Sequence, residues 1–144
     1  MDKAQPSTTS TEVQMQILQD RLVAHGNRLW QLPFSYAGIL AVSMGLAFGE
    51  DPISKASELF LALGVLGICV LFCMYGSYEG YARSATFMRD TEQSLGLNPS
   101  TAKVGWTNHV VPYFVIAILC TVGAFSVGLD PSIATVSLET VVAK

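Results

Sequence analysis

Three uncharged apolar runs limit what this chain can fold into more than any other feature. They are "FSYAGILAVSMGLAFG" (34–49), "LFLALGVLGICVLFCMYGSY" (59–78) and "VVPYFVIAILCTVGAFSVGL" (110–129). A helix needs about 20 such residues, and at least roughly 17, to cross the hydrocarbon of a bilayer. The runs predict spans at about 32–49, 57–78 and 110–129, which together form a membrane domain over 32–129. Composition agrees: 51% of residues are hydrophobic and 13% charged, where a soluble domain carries about 25% charged. The predicted fold class is an all-α integral membrane protein with three transmembrane helices.

The flanks carry different signals. Residues 1–10 are rich in Ser, Thr and Pro, a composition that favours disorder. Over 11–31 a helical period puts Val13, Ile17, Leu18, Leu22, His25 and Leu29 on one side, with Gln14, Gln19, Asp20 and Arg21 largely opposite. This predicts an amphipathic helix on the inner side, capped by Ser10 or Thr11. Its polar face is not strongly basic, which favours packing or shallow lying over surface-seeking. Gly26 and Pro33 are expected to loosen or bend the chain before span one. Gly49 suits a helix end, Asp51 a cap and Pro52 a first helical position, so spans one and two read as an antiparallel hairpin.

Span two has no clear stop where its apolar run ends. No proline occurs between Tyr75 and Leu95, and "SLGLNP" then supplies one: Gly96 as a left-handed residue, Leu97 as its apolar contact and Pro99 beyond. The membrane is expected to end near Tyr78 while the helix continues to Leu95 as a long cytoplasmic extension. Residues 130–144 form a short outer tail that opens on a second "DP" turn signal.

Orientation follows from the positive charges. Lys3, Arg21, Arg28, Arg83, Arg89 and Lys103 lie on one side, against Lys55 and Lys144 on the other. Trp30, Tyr36, Tyr75, Tyr78, Tyr81, Trp106 and Tyr113 all fall near the boundary of the Arg-rich side. The expectation is a cytoplasmic N-terminus, an outside C-terminus and a bacterial inner membrane. The polar start lacks a signal peptide's apolar core, so insertion through an uncleaved first span is expected.

The motifs point to packing more than to chemistry. Ala37, Ala41, Gly45 and Gly49 recur at four-residue spacing in span one; Gly76, Gly80 and Ser84 do so in span two. Small residues at this spacing let helix backbones approach closely in lipid, either within one chain or between chains. Glu79 and Arg83 stand in the favourable order for an ion pair on one helix. Glu79 is too near the boundary to be read as an intramembrane acid, so the pair reads as interfacial. His25 and His109 lie at the surface, where haem ligation would need embedded partners. Cys69, Cys73 and Cys120 sit in apolar runs and form no disulfide framework; Cys69 and Cys73 read as small packing residues. No phosphate loop, nucleophile elbow or metalloprotease motif occurs, so no catalytic residue, metal or cofactor is assigned. The net charge of −3 gives no broad basic field for nucleic acid.

"NRLWQ" (27–31) and "ATFMRDTEQSLGL" (85–97), whose Arg89, Glu92, Leu95, Gly96 and Leu97 match the ending, resemble uncharacterised small prokaryotic membrane proteins with an RxWQ-like entry, a two-span hairpin and an RxxExxLGL ending. Over residues 13–97 the arrangement is also similar to SLATT-type two-span effectors, which implies pore formation. Neither resemblance implies a catalytic residue. The expected role is a non-enzymatic structural or accessory subunit in the lipid bilayer, packing against itself or other membrane subunits. The alternative is an oligomeric pore-forming or membrane-disrupting effector.

Overall fold

The computed structural model describes residues 8–49, 54–100 and 110–133. Three helices follow one another: α1 (Thr8–Phe48), α2 (Ala56–Ser94) and α3 (Val111–Leu129). Each is long and apolar enough to cross a membrane. At about 1.5 Å rise per residue, the 41 residues of α1 and 39 of α2 make rods of roughly 60 Å, twice a bilayer's hydrocarbon thickness.

The helices run alternately up and down. Phe48 stacks on Phe60, Tyr36 reaches Leu63 and His25 lies on Gly80, so α1 and α2 are antiparallel. Leu61 meets Gly128, Gly64 meets Phe125 and Gly67 meets Thr121, so α2 and α3 are antiparallel too. Towards one end of the three-helix region, Ala47, Phe60, Leu63, Ala124 and Val127 form a buried core. At the other end Leu29, Met74, Val110 and Ala117 form a second, with Tyr78 and Tyr81 against it. At that end His25 and Gly26 of α1 meet Gly80 and Tyr81 of α2, and both helices run on beyond this contact.

Two expectations about the start of the chain are corrected. Residues 8–10, assigned to disorder, belong to α1. The amphipathic helix and span one are also not separate elements, because α1 runs unbroken through Gly26 and Pro33. A proline inside a helix forfeits one backbone hydrogen bond and crowds the carbonyl four residues back, at a cost of about 3 kcal/mol. Pro33 and Leu29 are both buried against the body of the protein, and that packing opposes a break at the proline. The predicted apolar stripe divides in two. Leu29 is buried and Leu18, Leu22 and His25 are half-buried, whereas Val13 and Ile17 are exposed. Asp51 and Pro52 lie outside the described residues; α2 begins at Ala56, with no side-chain cap.

The far end of α2 closes in a Schellman turn. Gly96 has φ +73, its N–H donates to the Gln93 carbonyl at 3.0 Å, and the Leu97 N–H donates to the Glu92 carbonyl at 2.9 Å. The Glu92 carboxylate is buried and accepts hydrogen bonds from both the backbone N–H and the hydroxyl of Ser100. The "RxxExxLGL" residues therefore include a helix terminator and the acid that ties down the chain leaving it. At the end of α3, Asp130 accepts from the Ser132 N–H (3.0 Å) and hydroxyl (2.6 Å), which hold its carboxyl below the usual carboxylate range.

Ala85 lies in the part of α2 beyond the apolar run and is buried. Ala85→Pro should break the extension, at a cost of about 3 kcal/mol or more, and leave membrane insertion intact. Limited proteolysis near residue 85 together with carbonate extraction would check this. A protease-resistant variant would count against a continuous α2.

Candidate functional site

Glycines of α2 and α3 receive side chains and backbone of neighbouring helices in the space where a Cβ would stand. At one end, a Cβ on Gly128 would stand 2.8 Å from the Leu61 backbone nitrogen, and the Ser57 hydroxyl donates to the Gly128 carbonyl. A turn further, a Cβ on Gly64 would stand 2.9 Å from the Phe125 ring. At mid-height Gly67 takes α1 and α3 together, its missing Cβ leaving room for the Thr121 hydroxyl and the Tyr36 phenol. The Tyr36 hydroxyl donates to the Leu63 carbonyl at 2.8 Å, and the Thr121 hydroxyl to the Ala117 carbonyl at 2.7 Å. Tyr36 was expected as an interfacial aromatic; its hydroxyl instead sits in the interior of the three-helix junction.

A fourth contact lies where α1 and α2 leave α3 behind. The His25 ring lies on Gly80, with Cε1 2.6 Å from where a Cβ would be, and a Cβ on Gly26 would stand 3.8 Å from the Tyr81 ring. Each helix thus presents an aromatic ring to a glycine of the other. Among the described residues His25 Nδ1 is buried without a hydrogen-bond partner. Ser77 and Ser84, one turn to either side of Gly80, are buried as well.

The predicted packing residues divide in the same way. Gly80 is drawn into contact with α1, while Gly45 and Gly76 are exposed and a Cβ on either would meet nothing within 4 Å. Ala41 and Gly49 are exposed and Ala37 is half-buried. A Cβ on Gly49 would meet only the Gly45 backbone of its own helix. Most of the span-one ridge therefore faces away from α2 and α3. The helix contacts of α1 are instead made by Leu29, Pro33, Tyr36, Ser43 and Ala47, which are all buried. The three-and-four spacing of those residues was the signal that could have found this face.

Arg83 Nη2 lies 3.3 Å from Glu79 Oε2, with both side chains substantially exposed. A pair this wet contributes little. Cys69 and Cys73 are exposed, so they do not pack within the chain; Cys120 is half-buried. His109 lies outside the described residues. Among the described residues no three His, Cys, Asp or Glu side chains are grouped to hold a metal. An apolar groove of about 200 Å³ opens between α1 and α3, lined in part by Leu40, Met44, Cys120 and Gly123.

Together the fold and these contacts define an all-α chain with three helices fit to span a membrane, joined by ring-on-glycine and hydroxyl-on-glycine packing. No family model, curated protein or solved structure matches it.

Gly67→Ala should destabilise the helix bundle by about 1–3 kcal/mol, the usual cost of overpacking, since two side chains already fill that space. Tyr36→Phe should cost about 0.6 kcal/mol, a typical interhelical hydrogen bond in a membrane. Thermal unfolding in mild detergent would rank them; equal losses would show that the glycine gap is not the constraint. By the same reasoning Gly80→Ala should be harmful alone and much less so together with His25→Ala. Additive losses in the double variant would rule out the ring-on-glycine contact.

Proposed function

We propose that this is a non-enzymatic, structural or accessory integral membrane protein that assembles through the outward ridge of span one, with itself or with a larger membrane complex. The observation that carries the reading is the direction of the ridge. Ala41, Gly45 and Gly49 are exposed, while other glycines make the contacts within the chain. In lipid, exposed small residues at this spacing favour the approach of another helix.

The placement of polar atoms supports assembly over the alternative, an oligomeric pore or membrane-disrupting effector. Ser43, Ser77, Ser84 and Thr121 are all buried, and Ser35 is the exposed hydroxyl of span one. The outer faces carry Val42, Leu46, Val65, Leu66, Phe72, Leu119 and Val122. A pore built from several copies needs polar groups on an outer face of each copy to line its lumen. The similarity to SLATT-type effectors is the ground for the pore reading, and release of a trapped dye from liposomes by the purified protein would establish it.

The Lys and Arg distribution supports a cytoplasmic N-terminus and an outside C-terminus, and the resemblance to small prokaryotic membrane proteins is the ground for a bacterial inner membrane. In this orientation the long α1–α2 extension stands in the cytoplasm. A reporter active only outside the cytoplasm should work when fused to the C-terminus and fail when fused to the N-terminus. Activity at the N-terminus would reverse the assignment.

Gly45→Leu tests the ridge. A Cβ there meets nothing within 4 Å, so the variant should keep the thermal stability of the single chain. It should lose crosslinked species and migrate faster on native gels. Val65→Leu adds bulk to an exposed position on α2 and should change neither. Unaltered assembly in Gly45→Leu would mean that the ridge faces lipid alone, and the proposal would fall.

A further inference from the structure

We draw no further inference here: the strongest candidate, the apolar groove of about 200 Å³ between α1 and α3 beside the exposed Ala41 and Gly45, carries nothing because nothing in the structure shows whether an acyl chain, a second copy or another helix covers it.

Discussion

Close packing at Gly64, Gly67, Gly80 and Gly128, where a neighbouring ring, hydroxyl or backbone atom takes the space of the missing side chain, is the constraint on which the rest of the structure depends. In a bilayer an apolar side chain gains little by leaving lipid for protein, so helices associate by packing and by hydrogen bonds between them. A Cβ would collide with the Phe125 ring at Gly64, the Tyr36 and Thr121 hydroxyls at Gly67, the His25 ring at Gly80 and the Leu61 backbone at Gly128. Gly67 matters most because it serves two neighbours at once. Without a side chain there, the Tyr36 hydroxyl can reach over the helix to the Leu63 carbonyl, and Thr121 can press in from the other side. The two hydroxyls are satisfied by backbone carbonyls, so burying them leaves no polar atom unpaired in hydrocarbon.

Beyond the start of α3 the physics changes. Among the described residues no third helix covers the α1–α2 extension, and where such a stretch stands in water, burial of apolar surface contributes again. Leu18 and Leu22 are half-buried on this stretch, and Leu29 and Met74 anchor its base. The rings of His25 and Tyr81 hold the two helices at the exit, each against a glycine of the other. At the far end, the Schellman turn at Gly96 and the buried Glu92 carboxylate fix how the chain leaves α2. Ion pairing adds little, because Glu79 and Arg83 are both wet.

The three spans were legible because hydrocarbon thickness demands a length of apolar residues that few other structures need. The helix terminator was legible for a similar reason, since a left-handed glycine before an apolar residue and a proline has few other uses. Continuity of α1 was not. Pro33 reads locally as a break, and only its burial beside Leu29 says otherwise. Spacing also misled on direction. Ala37, Ala41, Gly45 and Gly49 do share a side of α1, but a four-residue period cannot say which side meets α2. The contacting glycines follow no single period: Gly64 and Gly67 are three apart, Gly80 lies much further on, and Gly128 is on another helix. Each is defined by a partner ring or hydroxyl from a distant part of the chain, which a linear pattern does not contain.

The small residues therefore fall into two sets, one facing the other helices and one facing outward. Those facing inward are filled by Tyr36, Thr121, Phe125, His25 and Leu61, and nothing further can enter there without displacing one of them. Those facing outward, Gly45 and Gly76 among them, have no neighbour within reach of a Cβ. A leucine at such a position would suit lipid contact and also favour the helix by about 1 kcal/mol over glycine. Keeping glycine there gives up that gain, and lipid contact alone offers no return for it. The proposed assembly would supply one, because a neighbouring helix could pack into the space that the missing side chain leaves.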